Sequence, residues 1–329
     1  MKLNALKLTG AVLVAGMLAT PAMAETLKVT TFLPPVHTFV KAINAWGAEI
    51  GEKSGGELQL EVFPAAQLGP PPRQFDIVTS GGADIAIFLH SLTPGRFPMI
   101  ELATLPLTHP SAGNASAIMS RRLTELAPEY LAAEHAGTRI LWLAVTPPLK
   151  MHLANADPSD LSNLDGLRIR YAGSVWQQII EAMGAAPVPV PPAETGDAMG
   201  KGVVDGATFP FEATKAFDLA PVTQYSLEPG IASATFAVVM SDAAYDRLSP
   251  ELQKVIDETT GPDRAAWFGS LWDEGETEGR RYMADAGVNI VSLDAAGLET
   301  LKSTFAPIIE AGVSKAGPTG QAFLDAYTQ

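Results

Sequence analysis

Apolar and polar positions alternate from Leu27 to Phe32 and again from Leu58 to Phe63, the two-residue period of a half-buried strand. Between these runs Val36, Phe39, Val40, Ile43, Gly47 and Ile50 fall at helical spacing and stop at the turn Ser54-Gly55-Gly56. Pro70-Pro71-Pro72 predicts the first turn of another helix, where a missing N–H leaves no bond unmade, and Asp84 to Phe88 predicts a third strand. The same order recurs downstream. Leu167 to Tyr171 predicts a strand, and a helix with a capping-box spacing at Ser174 and Gln177 runs to Gly184. A strand through Ala186 to Pro191, a short helix and a strand ending at Phe209 complete the second unit. At a fixed offset of 121, residues 70–88 and 191–209 share Pro70/Pro191, Pro71/Pro192, Asp76/Asp197, Gly81/Gly202, Asp84/Asp205, Ala86/Ala207 and Phe88/Phe209. We read two units built on one plan.

The pattern also predicts where the chain passes between the units. Arg139 to Val145 is a strand that runs into the rigid junction Thr146-Pro147-Pro148, and Ser233 to Met240 is a β-branched strand placed to return the chain. The third connection is helical. Ser249-Pro250-Glu251 opens a helix with Leu252, Val255 and Ile256 on its apolar face, and the pattern resumes through Trp267, Leu271 and Trp272 to Met283. Gly261-Pro262 must kink or split it, because the proline ring removes a ladder bond and clashes with the preceding turn. The fold class is α/β: two lobes, each a mostly parallel sheet flanked by helices, joined by crossover strands and a long helix. Residues 25–146 with about 237–275 form one lobe, and 147–236 with about 276–329 the other.

The amino terminus changes the compartment. Lys2 and Lys7 precede the apolar run Leu8 to Leu18, and Ala22-Met23-Ala24 is an A-x-A cleavage signal, so residues 1–24 read as a secretory signal peptide cleaved after Ala24. No later segment offers about 20 uninterrupted apolar residues. The formal charge of −14 becomes −16 once Lys2 and Lys7 are gone, a sign that argues against nucleic acid or anionic lipid as a partner. The absence of cysteine excludes disulfides, thiolate metal sites and thiol nucleophiles. About 305 residues of mature chain agree with two domains.

In an open α/β sheet, ligands sit beyond the carboxyl ends of the strands. Arg170 stands at that end of its strand, where a planar guanidinium can grip both oxygens of a carboxylate, whereas Arg168 reads as a surface residue. Phe32, Phe88 and Phe209 end strands, and His37 and His90 follow them, so all five are candidates for the cleft. Trp176, Phe211 and Glu212 join them, although Trp176 with Ile179, Ile180 and Met183 also makes the stripe of a core-facing helix. An exported hydrolase is poorly supported. There is no G-x-S-x-G or H-E-x-x-H, and the five histidines fall at no recognisable catalytic spacing.

Ser54-Gly55-Gly56-Glu57-Leu58-Gln59-Leu60-Glu61-Val62-Phe63-Pro64 with Gln67-Leu68-Gly69, then Leu164-Asp165-Gly166-Leu167-Arg168-Ile169-Arg170 and Gly202-Val203-Val204-Asp205-Gly206, resembles the periplasmic solute-binding subunits of TRAP transporters. That family is typified by C4-dicarboxylate-binding proteins. The resemblance implies a two-lobed periplasmic-binding-protein fold that closes on an organic acid and hands it to small and large ion-driven membrane subunits, with no catalysis and no cofactor. It also matches Arg170 to the family's carboxylate-binding arginine. The chain departs from the family where Glu-Asn-Pro is common and Thr208-Phe209-Pro210 stands instead. Losing the amide weakens the expectation of a dicarboxylate, and losing the glutamate weakens a metal-assisted mode. The expected ligand is a monocarboxylate with an aromatic or branched body. A bi-lobal sensory receptor would use the same architecture.

Overall fold

The computed structural model describes residues 24–110 and 113–329; the expected signal peptide, apart from Ala24, lies outside them. Among the described residues eleven strands form two sheets. They are β1 Glu25–Thr31, β2 Leu58–Phe63, β3 Ile85–Leu89, β4 Thr138–Val145, β5 Leu149–Leu153, β6 Arg168–Tyr171, β7 Ala186–Pro189, β8 Gly206–Phe209, β9 Tyr225–Ala232, β10 Thr235–Ser241 and β11 Asn289–Ser292. The first sheet has the order β2-β1-β3-β10-β4 and the second β11-β9-β5-β8-β6-β7.

The two sheets share one plan. In the first, β1 pairs in parallel with β2 and β3, and β10 lies antiparallel beside β3. In the second, β6 pairs in parallel with β7 and β8, and β5 lies antiparallel beside β8. Each antiparallel strand is lent by the other half of the chain, which is how one polypeptide ties both sheets. The offset of 121 also holds for the elements: helix Gln74–Thr79 against helix Thr195–Gly200, and Ile85 against Gly206 at the starts of β3 and β8. Even an edge bond repeats. Asp84 accepts from the Lys28 amide of β1 at 2.7 Å and Asp205 from the Arg168 amide of β6 at 2.9 Å, each acid standing just before the strand that follows it, β3 or β8.

Helix Thr38–Lys53 buries Phe39, Val40, Ile43 and Ile50 as the periodicity predicts, and Trp46 with them, whereas Val36 precedes the helix and is exposed and Gly47 is half-buried. The edge strand β7 tolerates Pro187 and Pro189 because an edge need not donate on both sides. Ser174 is not the helix cap its spacing predicts: Gly173, at φ 94°, takes that place, and the Ser174 hydroxyl donates to Glu101 instead. A side chain at Gly173 would press on Ser91, so the close approach and the positive φ both call for glycine.

Two connections run side by side between the sheets. β4 passes to β5 through Thr146-Pro147-Pro148, and β9 passes to β10 through Ser233-Ala234. The Thr146 amide donates to the Ala234 carbonyl and the Ala234 amide to the Thr146 hydroxyl, both at 2.9 Å, which binds the crossings into one ribbon. The helical connection splits as its sequence predicts: helix Pro250–Thr259 ends, Gly261 turns at φ 88°, and helix Pro262–Asp285 begins. That long helix packs against helix Ala115–Tyr130 on one side and helix Phe211–Ala216 on the other. The carboxyl-terminal helices Ala295–Ala316 and Gly320–Thr328 cover the turn Ile100–Thr104, and the latter also packs on helix Ala115–Tyr130.

Candidate functional site

Strand ends from both sheets meet at a cavity of about 540 Å³, counted out to its mouth. Phe32 and His37 reach it from the first sheet's side, Arg170, Phe209 and Glu212 from the second, and Trp272 from the long helix. Its walls are aromatic. On one side Phe32 stacks on Phe236 with centroids 6.3 Å apart, and Phe236 meets Trp272 at 5.6 Å. On the other, the Arg170 guanidinium sits 4.3 Å over the Phe209 ring, Phe209 lies 5.3 Å from Phe217, and Phe217 lies 6.2 Å from His37.

Arg170 is 2% exposed. Its Nε donates to the Val190 carbonyl at 3.0 Å and its Nη1 to the Thr208 carbonyl at 3.2 Å, which fix the fork without neutralising it. Among the described residues no carboxylate forms a salt bridge with it. Burial alone pushes its pKa down to about 9, so it remains cationic at neutral pH. A buried charge with no counter-ion is costly, and an anionic ligand supplies the missing partner. Arg168, two residues earlier, is the contrast: its side chain is 47% exposed and grips Asp205 through Nε at 2.9 Å and Nη2 at 2.7 Å.

His37 is the cap of helix Thr38–Lys53, its Nδ1 accepting from the Phe39 amide at 3.1 Å. The ring proton is therefore on Nε2. Burial, helped by Lys41, lowers its pKa to about 4 and keeps the ring neutral. Glu212 opens helix Phe211–Ala216, and burial raises its carboxyl to about 7 against the weaker pull of the Thr38 hydroxyl and Lys41. Behind it Glu276 accepts from the Glu212 amide at 2.9 Å and pairs with the buried Lys150.

The other sequence candidates lie elsewhere. Phe88 turns inward from β3 onto Phe75 at 5.2 Å and Phe97 at 5.6 Å, in the core. His90 is held between the Thr235 carbonyl, 2.8 Å from Nδ1, and His135, 3.0 Å from Nε2, with its pKa well below normal through burial. Phe211 packs with Met283 and Val288 and meets His152 edge-on at 5.4 Å. Trp176 is buried in the core, and with His90 it borders a smaller chamber that shares Ala172 and Ala234 with the main cavity. Four polar atoms around that chamber, Ser91 Oγ, Trp176 Nε1, Ser233 Oγ and Thr235 Oγ1, have no hydrogen-bond partner among the described residues.

Sequence reasoning missed Phe217, Phe236 and Trp272 as cavity residues. Phe236 shows no signal beyond the apolar, β-branched run of its strand, Trp272 reads as one more apolar residue of a long helix, and Phe217 follows a helix too short for a periodic face. Among the described residues no group of three or more acidic or histidine side chains is placed to hold a metal ion.

Residues 29–315 match the model of the bacterial extracellular solute-binding proteins, family 7. Three solved structures of TRAP solute-binding proteins are similar over nearly the whole chain. One from Rhodoferax ferrireducens, in complex with copurified benzoate, is 28% identical with a TM-score of 0.87, covering 93% of this chain and 97% of that one. A marine metagenome protein described as specific for aromatic acid ligands, in complex with 3-hydroxybenzoate, is 29% identical with a TM-score of 0.86, covering 93% and 97%. A third, from Bordetella bronchiseptica with bound (R)- and (S)-mandelate, is 28% identical with a TM-score of 0.85, covering 92% and 98%.

Proposed function

The chain belongs to the family 7 extracellular solute-binding proteins, the receptors of TRAP transporters, and from that premise we propose that it captures an aromatic monocarboxylate through Arg170. Proteins of this family bind small molecules in the periplasm and work with TRAP membrane subunits; they are transport receptors, not enzymes. Export by a signal peptide cleaved after Ala24 belongs to the same reading.

The observation that carries the proposal is the buried, unpaired Arg170 at one end of an aromatic-walled cavity. A single cation matches a single carboxylate, and Phe209, Phe217, Phe236 and Trp272 match a flat apolar body whose burial contributes about 25 cal/mol per Å². Phe209 lies under the guanidinium, where many relatives by the sequence resemblance carry an asparagine, so an apolar face replaces a polar donor. Benzoate, mandelate and 3-hydroxybenzoate on the similar proteins have this chemistry. Isothermal titration calorimetry with benzoate, mandelate and succinate tests it. Benzoate or mandelate should bind and succinate should not. Arg170→Ala should lose about 2–5 kcal/mol, largely because the buried carboxylate is left without its partner. Lysine there should restore only part, having no fork. Wild-type affinity in a folded Arg170→Ala protein rejects the assignment.

A further inference from the structure

We propose that Glu212 and His37 form a second polar end of the cavity, which binds a hydroxyl group on the ligand and turns away a second carboxylate. This rests on the aromatic-acid reading of the same cavity.

The placement follows from the wall. Arg170 over Phe209, Phe209 beside Phe217 and Phe217 beside His37 form consecutive contacts of 4.3, 5.3 and 6.2 Å, so two phenyl rings separate the guanidinium from the imidazole along one wall of the cavity. Glu212 lines the same cavity as His37, and Thr38, the next residue after His37, acts on its carboxyl. A ligand carboxylate on Arg170 therefore directs the far edge of its ring toward His37 and Glu212.

The two groups complement a hydroxyl. With Nδ1 occupied by the Phe39 amide, His37 offers an Nε2–H donor, and Glu212 offers carboxyl oxygens as acceptors. A hydroxyl donates once and accepts as well, so it satisfies both. A bare ring edge leaves both desolvated and unpaired, the arrangement by which a site built for a hydroxyl discriminates most strongly against the analogue lacking it.

Burial works against a second carboxylate. Lys150 is paired with Glu276, whose other oxygen takes the Glu212 amide, and Lys41 on the neighbouring helix acts on the Glu212 carboxyl without forming an ion pair with it among the described residues. Arg170 is neutralised by the first carboxylate at the other end. A second one would give up its water beside Glu212 and Glu276, where burial already disfavours the charged form of both acids.

The test is calorimetry with benzoate, the three monohydroxybenzoates and isophthalate on the wild type, Glu212→Ala and His37→Asn, asparagine keeping a capping acceptor. In the wild type the best hydroxybenzoate should bind about tenfold or more tightly than benzoate, as expected for two new hydrogen bonds, and isophthalate should give no heat of binding. In both variants that ratio should fall toward one, whichever way the affinity for benzoate moves. Equal affinities in the wild type, an unchanged ratio in Glu212→Ala, or tight binding of isophthalate overturns the proposal. If benzoate binds through Arg170 and only the ratio is absent, the hydroxyl end is wrong and the aromatic-acid reading stands. If no aromatic acid binds, both fall.

Discussion

Asp273 and Glu276, three residues apart on the long connecting helix, each cap the amino terminus of a helix beside a different sheet. Asp273 accepts from the Ser116 and Ala117 amides at 3.0 and 2.9 Å, and Glu276 from the Glu212 amide at 2.9 Å. Both helices approach so closely that side chains at Gly269 and Gly279 would strike the backbone of Ala117 and Phe211. The long helix is thus fastened to both halves within about three turns. Asp273→Ala should cost about 1–2 kcal/mol, as for a lost cap. Glu276→Ala should cost about 3–5 kcal/mol, because it also strands the buried Lys150 ammonium. Urea unfolding of the two variants measures this, and equal small losses would show that Lys150 finds water instead.

Ligand binding should change the shape of the molecule. The cavity lies between two sheets whose strand connections touch at Thr146 and Ala234, a narrow ribbon suited to a hinge. Small-angle scattering should show a smaller radius of gyration with saturating benzoate than without it. An unchanged profile at saturation means a rigid pocket.

Phe209→Asn exchanges the ring under the Arg170 guanidinium for an amide. It should weaken an aromatic acid by about 1–3 kcal/mol through lost burial and stacking, and improve a small polar acid such as succinate relative to wild type. A competition assay reads both at once. Unchanged preference between the two acids would remove Phe209 from the specificity wall.

Stability should fall as the solution is acidified from pH 6.5 toward 4. Burial, in each case the largest cause, lowers His37 and His135 to about 4 and His152 to about 3, so between these values and 6.5 the unfolded chain takes up protons that the folded chain refuses. Each such histidine removes about 1.4 kcal/mol per pH unit across that window. Glu212 has the opposite sign, since its raised pKa of about 7 gives stability that is present below about 4.5 and lost as pH rises through 7. Burial lowers His90 and His109 in the same direction and raises Glu134, Asp273 and Glu276 as it does Glu212, and the five histidines outweigh the four carboxyls. The urea midpoint should therefore be lower at pH 5 than at pH 7, and an equal or higher midpoint would mean the imidazoles reach solvent.

The sequence by itself determined the elements whose energetics are local. Helix Thr38–Lys53, β2, the proline-led helices and the split at Gly261-Pro262 follow from period, capping and proline sterics, which act within a few residues. The repeated plan was legible for the same reason, since matching turns sit at matching offsets. Arg170 was legible too, as a cation at a strand end. What the tertiary structure decided is which strand ends share a space. Phe88 and Phe209 occupy equivalent places in the two units, yet Phe88 turns into the core of its lobe while Phe209 lies on the cavity under Arg170. Strand β5, Leu149–Leu153, alternates apolar and polar residues, and the sequence reading passed over it; what the alternation could not show is that Lys150 and His152 are buried, which the distant partners Glu276 and Ser226 make tolerable. Phe236 and Trp272 join the cavity through the crossing strand and the long helix, which bring residues far apart in the chain to one wall. Burial and pairing of this kind depend on contacts that no local pattern encodes.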